Sequence, residues 1–353
     1  MPSKTPGSRD HAIVTGGAGF IGSHLSRRLL EAGSRVTILT RHVEAPRALE
    51  LAGAGARVVA CDVSSPERIP DPDTLGPADV LYHLAADVSV SGPGLWAANV
   101  EGTVMALELA AALDVPQVVV ASSIEAQGPG ADHEIPLRED APCRPVTDYG
   151  VSKARAEAVV AEWTRTHDRP ALVLRIGNTY GPGSAWFLQP SLLALLGVTP
   201  LRRAWPLLGH RVFQPLYVDD LVEGMQRAAS RRLTGCCNAT GAQPVTVDGY
   251  LEALASLTGL GAALETTRVP LEGDVPSAEG LAPDFAYVLM GAPERPHRAY
   301  DDAALRVAIG EYQRWSLARG LAATLRWYHD CGALASLLQA VRGQLEGRAC
   351  TSP

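Results

Sequence analysis

A glycine-rich run near the start of the chain constrains the fold more than any other feature. It reads Thr-Gly-Gly-Ala-Gly-Phe-Ile-Gly from Thr15 to Gly22, directly after the apolar residues 12–14 and before an amphipathic stretch. Gly16 permits a tight turn, Gly19 lets the backbone approach a bound group closely, and Gly22 lets a helix pack closely on a strand. The run therefore predicts a strand and a helix joined by a loop, with the helix N-terminus offering N–H groups to the phosphates of a dinucleotide.

Six short apolar runs punctuate the first half of the chain, at residues 12–14, 36–39, 58–60, 80–84, 118–121 and 172–176. They do not alternate with polar residues, so we expect each strand to be buried on both faces, as in a parallel sheet. Helical patterns fill most of the gaps, at about 20–33, 43–54, 95–113 and 148–167. This alternation predicts an α/β fold of the Rossmann type, a doubly wound parallel sheet.

The character of the chain changes after about residue 180, where Pro and Gly become frequent and helical patterns shorten. We predict a dinucleotide-binding domain over 11–180 and a smaller, mainly substrate-binding lobe over 181–330. Within that lobe, residues 218–240 are expected to return to the main sheet. Residues 331–353 are predicted to form a C-terminal helix and tail.

Composition excludes several classes of function. With 46% hydrophobic residues the chain has enough apolar side chains for a core, and its net charge of -7 gives no basic surface for nucleic acid or anionic membranes. No apolar run approaches the roughly 18 residues of a membrane span, and no apolar signal core is present. The six cysteines have no zinc-site spacing, which predicts no metal, reduced thiols and a cytoplasmic location.

A Tyr-x-x-x-Lys pair, Tyr149 and Lys153, is the main chemical signal. A separation of four residues places both side chains on one helix face, one turn apart. A lysine ammonium beside a phenol favours the phenolate, so we expect the pKa of Tyr149 to be lowered toward neutrality. A dinucleotide next to such a tyrosine suggests hydride transfer at a carbinol or carbonyl carbon.

The end of the predicted second strand bears on the choice of cofactor. Folds that prefer NAD usually place an acid there, but here the residues are Leu-Thr-Arg-His, with Arg41 as the charged group. A guanidinium suits a 2′-phosphate, so NADP(H) is favoured over NAD(H); the alternative is a solvated loop arginine. Asp62, after the third strand, is placed either to meet the adenine or to cap a turn.

Taken in order, these motifs resemble the extended short-chain dehydrogenase/reductase family, the NAD-dependent epimerase/dehydratase group that acts on nucleotide-activated sugars. The resemblance spans about residues 11–328. Its matching segments are Thr15-Gly-Gly-x-Gly-Phe-Ile-Gly22, Asp62-Val63, His83-Leu-Ala-Ala86, Asn99-Val-x-Gly-Thr103, Ser122-Ser123, Tyr149-Gly-x-Ser-Lys153, Arg175-x-x-Asn178-x-Tyr-Gly-Pro182, Val218-Asp-Asp220 and Gly320-Leu-x-x-Thr-x-x-Trp-Tyr328.

The resemblance implies roles for individual residues. Tyr149 is the acid/base, Lys153 its partner and a ribose ligand, and Ser123 the hydroxyl that hydrogen-bonds the reacting oxygen. The cofactor would be held by Gly16, Gly19, Phe20, Ile21, Gly22, Arg41, Asp62, Val63, Leu84, Ala85, Ala86 and Asn99, together with Tyr149 and Lys153. Asn178 and Arg211 would bind the substrate. The family also pairs helices such as those near 95–113 and 148–167 across a two-fold axis, which implies a homodimer.

The turn after Ser123 departs from the family. Gln127 replaces a common tyrosine, and Glu125 stands where dehydratases and nucleotide-glucuronate decarboxylases carry a glutamate. After oxidation at C4, such a carboxylate can remove the C5 proton, but Ile124 replaces the acid that some dehydratases use to protonate the leaving hydroxyl. The alternative for Glu125 is a partly exposed loop acid. The expected activity is C4 oxidation followed by epimerisation or dehydration. The alternatives are a decarboxylase, an NADPH-dependent ketoreductase, or a non-catalytic NADP-binding protein.

Overall fold

A computed structural model describes residues 10–89, 91–184, 209–268 and 296–335. Parts of the predicted substrate lobe and the C-terminal tail fall outside these residues. The strands are β1 (His11–Thr15), β2 (Arg35–Thr40), β3 (Arg57–Ala60), β4 (Val80–His83), β5 (Val118–Ser123), β6 (Ala171–Ile176), β7 (Thr179–Tyr180), β8 (Val212–Phe213), β9 (Leu216–Tyr217), β10 (Gly235–Ala239) and β11 (Val245–Thr246).

Helices follow most of these strands. They are α1 (Phe20–Glu31), α2 (Pro46–Gly53), α3 (Pro72–Leu75), α4 (Gly94–Trp96), α5 (Gly102–Ala112), α6 (Ile124–Gln127), α7 (Asp148–His167), α8 (Val218–Ser230), α9 (Val247–Thr258), α10 (Gly261–Arg268), α11 (Ala303–Ile309) and α12 (Leu317–Asp330). A π-helical turn, Ala97–Glu101, joins α4 to α5, and a 3-10 turn, Pro66–Arg68, follows β3.

The central sheet has seven parallel strands in the order β10-β6-β5-β4-β1-β2-β3. The strand order reverses direction between β1 and β4, and in such folds the crevice at the carboxyl ends of the strands binds the ligand. The predicted Rossmann fold is confirmed. Residues 218–239 add α8 and then β10, which pairs with β6. The boundaries of the predicted domains stay a prediction.

Both faces of the sheet are covered, as the apolar runs predict. All residues of β1 and β6 are buried. On one face, Leu25 of α1 and Met225 of α8 belong to a buried cluster that contains side chains of β1 and β6. On the other face, Leu107 of α5 and Trp163 of α7 belong to a second cluster. The packing of helices on both sides fixes the carboxyl ends of the strands, where the predicted site residues lie.

Within the part of the chain that is described, no helix is both long and apolar enough to cross a membrane.

Candidate active site

The glycine loop has the geometry that its sequence requires. Gly16 has a φ of +65°, and a Cβ at this position would lie 2.8 Å from the backbone nitrogen of Ala85. A Cβ on Gly22 would collide with the carbonyl oxygen of Gly16. A side chain at either position would therefore push the loop away from its neighbours, so both glycines are required for the strand–helix junction.

Two adjoining cavities form a groove along the loop. Their volumes are about 370 and 260 Å³, and they share Gly16, Gly19, Leu84 and Ala86. The groove fits a dinucleotide, because the N-cap of α1, Gly19, has no side-chain partner and leaves the helix N–H groups to a phosphate. Predicted residues in the larger cavity are Gly16, Gly19, Phe20, Ile21, Gly22, Leu84, Ala86, Ser123, Tyr149, Lys153 and Asn178. The smaller cavity adds Arg41, Asp62, Val63 and Ala85.

The three predicted catalytic side chains line the larger cavity. Thr147 caps α7 by accepting a hydrogen bond from the Gly150 N–H, which starts the helix just before Tyr149. The Lys153 Nζ lies 6.0 Å from the Tyr149 ring centroid and donates to the carbonyl oxygen of Ala121, 2.9 Å away. Ser123 ends β5 in the same cavity, so a substrate oxygen there could reach both hydroxyl groups.

The ionisation of Tyr149 differs from the sequence-based expectation. Burial raises its pKa to about 12; hydrogen bonding with Ser123 lowers it, and the charge of Glu125 raises it further. Burial also lowers the pKa of Lys153 to about 8, while the charge of Glu157 opposes that decrease. The prediction of a lowered Tyr149 pKa is wrong for this structure, because desolvation of the phenolate outweighs any stabilisation by the lysine.

Glu125 does not line the groove with these residues. Its side chain is 0% exposed, and Oε1 accepts a hydrogen bond from Nε of Arg298 at 2.8 Å. The other oxygen, Oε2, is buried and has no hydrogen-bond partner in the described part of the chain. The alternative of a partly exposed loop acid is therefore wrong, and the neighbouring Ile124 lines the cavity instead.

Asn99 and Arg211 also lie outside the lining of the two cavities. The Asn99 side chain, in the π-helical turn, accepts from the Asp87 N–H and donates to the Asp87 carbonyl oxygen and to Ser152. It thus holds the loop that follows β4. Arg211 is buried, and its pKa is lowered first by burial and then by the charge of Arg298. Their predicted ligand-binding roles stay predictions.

Gln127, at the position where the family commonly has a tyrosine, makes hydrogen bonds that hold a neighbouring segment. Its side-chain amide donates to the carbonyl oxygens of Arg138 and Ala141, and so fixes the segment that leads to α7. In the described residues, no group of three or more His, Cys, Asp or Glu side chains is arranged to hold a metal ion.

Sequence reasoning did not predict that two arginines, Arg175 and Arg298, bind glutamates near the site. Arg175 pairs with Glu157 on the catalytic helix, and Arg298 pairs with Glu125. The spacing of Glu157, four residues after Lys153, places it on the same helix face and could have indicated the first pair. No local pattern indicates the second pair, since its members are 173 residues apart.

Comparison with known proteins places the chain in a family. The profile described as "NAD dependent epimerase/dehydratase family" matches residues 12–235. The chain belongs to this family. It is therefore an enzyme of the NAD-dependent epimerase/dehydratase family whose cofactor is a nicotinamide dinucleotide, and the predicted family is confirmed.

Several known proteins are similar to this chain along most of its length. A dTDP-glucose 4,6-dehydratase from Streptomyces niveus is 27% identical over 337 residues, 90% of this chain and 92% of that enzyme. A 2-alkyl-3-oxoalkanoate reductase from Shewanella oneidensis is 27% identical over 305 residues, 81% of this chain and 75% of that protein. The solved structure of MoeE5 with UDP-glucuronic acid and NAD is 26% identical, with a TM-score of 0.69 over 91% of this chain and 99% of that one.

Proposed function

We propose that this protein oxidises a nucleotide-activated sugar at C4 and then epimerises or dehydrates it. The main support for the proposal is that Ser123, Tyr149 and Lys153 line one cavity at the end of a groove that fits a dinucleotide. A protein that only binds a dinucleotide has no need of this set of hydroxyl, phenol and ammonium groups. The family profile and the similarity to a sugar-nucleotide dehydratase support the same substrate class.

A nicotinamide held in the groove would supply a hydride acceptor for C4. Tyr149, as the phenolate, accepts the proton of the C4 hydroxyl and returns it at the end of the cycle. Ser123 hydrogen-bonds the same oxygen and orients it toward Tyr149. Lys153 stabilises the phenolate that must form before the proton is taken, which matters because burial of the phenol raises its pKa to about 12. Asn178 lines the cavity, its buried Oδ1 has no hydrogen-bond partner among the described residues, and it is proposed to bind the sugar.

The reaction that follows oxidation depends on Glu125. A dehydratase must remove the C5 proton. Glu125 is buried outside the cavity, so its Oε2, which has no partner among the described residues, could accept that proton only after the turn that carries it moved toward the sugar. The turn that carries Glu125 also carries Ile124, which cannot protonate a leaving hydroxyl. A 4-epimerase needs no C5 base, since the keto sugar only has to turn over and take the hydride on its other face.

The proposed function is tested by offering the purified protein UDP- and dTDP-linked hexoses and following the products by proton NMR. We expect one of these sugars to be converted without net consumption of the cofactor, because the hydride taken from C4 is returned within the cycle. An absence of turnover with every nucleotide sugar, together with reduction of a simple ketone, would refute the proposal.

We propose NADP(H) as the preferred cofactor. Arg41 lines the adenine end of the groove beside Asp62. Although burial raises the pKa of Asp62, hydrogen bonds from Ser64 and the charges of Arg41 and Arg68 lower it below its usual value. Fluorescence titration should show tighter binding of NADPH than NADH, with the order reversed by Arg41→Asp and kept by Arg27→Asp outside the groove. Equal affinities in the unaltered protein would exclude the preference.

We propose a homodimer formed through α5 and α7. A groove of about 570 Å³ between these helices contains Leu107, Val159 and Trp163, and Val151 on the same face of α7 is 49% exposed. Light scattering should give twice the monomer mass, and Val151→Asp should give the monomer, because a charge cannot be buried in an apolar interface. A monomeric parent protein would contradict the proposal.

A cytoplasmic location is also proposed, since the five described cysteines are free thiols.

The second candidate function is a ketoreductase that consumes NADPH. Arg41 favours it, because cells keep NADPH as a reducing pool, and the similarity to the Shewanella reductase points the same way. Desalting separates the two candidates. A cofactor that stays bound supports internal recycling on a sugar, whereas a cofactor that is lost supports a reductase that exchanges it in every turnover.

A further inference from the structure

A closed set of polar contacts lies directly behind the catalytic residues. The Glu157 carboxylate accepts from the Ser122 hydroxyl at 2.5 Å and from Nε and Nη2 of Arg175 at distances of 2.8 to 3.2 Å. Ser122 precedes the catalytic serine on β5, and Arg175 is its register partner on β6. One carboxylate on α7 is thus tied to the two strands whose ends form the cavity.

The same helix face carries the catalytic pair. Tyr149, Lys153 and Glu157 follow one another at intervals of four residues and therefore stack along one face of α7. Arg175 extends the contacts, since Nη1 donates to the Glu139 carbonyl oxygen in the segment that leads into the helix. Any rotation or sliding of α7 relative to β5 would break the Glu157 contacts together with the hydrogen bond from Lys153 to Ala121.

Lysine is almost absent from this protein, which makes Lys153 exceptional. The chain has 29 arginines and two lysines, Lys4 and Lys153. Arginine stays protonated in proteins, whereas lysine can change its charge when buried. Lys153 therefore differs from nearly every other cation of the chain in having a charge that burial can change.

We propose that Glu157 is a positioning residue for Lys153: fixed by Arg175 and Ser122, its carboxylate keeps the Lys153 amine protonated and directed at the cleft. Lys153 is 4% exposed, and such burial favours loss of its proton. The proposal rests on the proposed function only for its catalytic meaning, because the charge of Lys153 can be measured without substrate.

Other groups around Lys153 do not supply this counter-charge. His83 on β4 is buried and neutral, since burial and then the charge of Lys153 lower its pKa to about 3. Burial raises the pKa of Tyr149, so its phenol is neutral near pH 7. The charge of Glu125, on α6, raises the pKa of Tyr149 further. Arg175 on β6 is itself a cation and is paired with Glu157. Glu157 is the carboxylate whose charge raises the pKa of Lys153, against burial that lowers it to about 8.

The scarcity of lysine allows a direct test. Protein labelled with ¹³C at lysine Cε should give two lysine signals by NMR, and the Lys4→Arg variant identifies the signal of Lys153. The unaltered protein should titrate at Lys153 near pH 8. In Glu157→Gln we expect the midpoint to fall by roughly one pH unit, the low end of the effect of a nearby opposite charge. Glu157→Asp, which keeps a shorter carboxylate, should titrate between the two.

The matched control is Glu162→Gln, an exposed position on the same helix that pairs with Arg165, and it should leave the midpoint unchanged. If Glu157 only held the helix in place, the variants would melt earlier with no change in the Lys153 midpoint, and that result would overturn the proposal. Glu157→Asp decides the matter where Glu157→Gln does not fold, because an unshifted midpoint in Glu157→Asp also overturns it.

The outcome is separable from that of the proposed function. A shifted midpoint in a protein that converts no nucleotide sugar would refute the activity and leave the role of Glu157 standing. Normal sugar conversion with an unshifted Lys153 midpoint would support the activity and refute the role of Glu157. Where activity is found, the alkaline limb of kcat/KM that follows Lys153 deprotonation should move to lower pH in Glu157→Gln, since a lysine with a lower pKa loses its charge earlier.

Discussion

Two largely buried arginine–glutamate pairs involve segments that carry the proposed catalytic residues, and their hydrogen bonding differs. In the pair of Arg175 and Glu157, both carboxylate oxygens accept hydrogen bonds. In the pair of Arg298 and Glu125, Oε1 accepts from Arg298 and Oε2 has no partner among the described residues. A fully bonded carboxylate is suited to hold elements in place, whereas a buried oxygen without a partner has a capacity for a proton or a hydrogen-bond donor.

The positions of the two pairs agree with this difference. Glu157 lies on the 20-residue helix α7 and bonds to residues of two paired central strands, Ser122 on β5 and Arg175 on β6. Glu125 lies on a helical turn of four residues, Ile124–Gln127, and its partner comes from the segment before α11. Leaving a buried polar atom unsatisfied costs about 1 to 3 kcal/mol, a cost that is usually found where a site has a use for it.

The largest expected effect concerns Tyr149, the proposed acid/base. Tyr149→Phe should keep the fold and the binding of the cofactor but lose turnover by roughly 10²–10⁴-fold, the usual contribution of an acid/base group. Steady-state kinetics with the nucleotide sugar, together with cofactor titration, measures both properties. Near-normal turnover would show that Tyr149 is not the acid/base, and the comparison of the two pairs would then have no catalytic meaning.

Glu125→Gln tests whether its unpartnered oxygen takes part in the chemistry. Glutamine keeps the shape but cannot accept a proton, so we expect deuterium incorporation at C5 in heavy water to be lost while C4 oxidation stays visible as reduced cofactor. Glu50→Gln, at an exposed pair with Arg27, serves as the control.

An active unaltered protein whose product carries no label at C5 would end the dehydratase interpretation and leave an epimerase, decarboxylase or reductase. If Glu125→Gln exchanged the C5 proton as fast as the unaltered protein, Glu125 would not be the C5 base, and the two pairs would differ only in their hydrogen bonding.

The smallest expected effect is on stability. Glu157→Gln should lower the free energy of unfolding by about 3 kcal/mol, as is typical when one member of a buried ion pair is removed. Glu125→Gln should lower it by about 3 kcal/mol as well, because it removes one charge of a pair that is more deeply buried. Urea unfolding with unchanged slopes would measure both values. A much smaller loss for Glu125→Gln would mean that the charge of Glu125 contributes little to folding.

The parts of the molecule that depend on local pattern could be predicted from the sequence. The buried strands follow from unbroken apolar runs such as 118–121, and the loop at Gly16 from the position of its glycines. The spacing of Tyr149 and Lys153 placed both in one cavity.

Properties that depend on distant residues could not be predicted in the same way. Arg298 pairs with Glu125 although the two are 173 residues apart in the sequence, and no helical or strand periodicity predicts that contact. The direction of the Tyr149 pKa shift was also wrong, since burial by the surrounding fold decided it. The sequence therefore predicted where the reacting groups stand better than it predicted their charge.

The short turn after β5 has a consequence for how such an enzyme could be redesigned. Both of its ends are fixed by local contacts. The Ser123 hydroxyl accepts a hydrogen bond from the Glu125 N–H. Gly128 has a φ of +82°, and a Cβ at this position would collide with the Arg144 carbonyl oxygen. Between them, the side chains of Ile124–Gln127 can be exchanged only together with their partners, since Glu125 pairs with Arg298 and Gln127 donates to the Arg138 carbonyl oxygen. Inserting the corresponding residues of another family member would ask whether the choice of reaction is portable, independently of the machinery that carries out the oxidation.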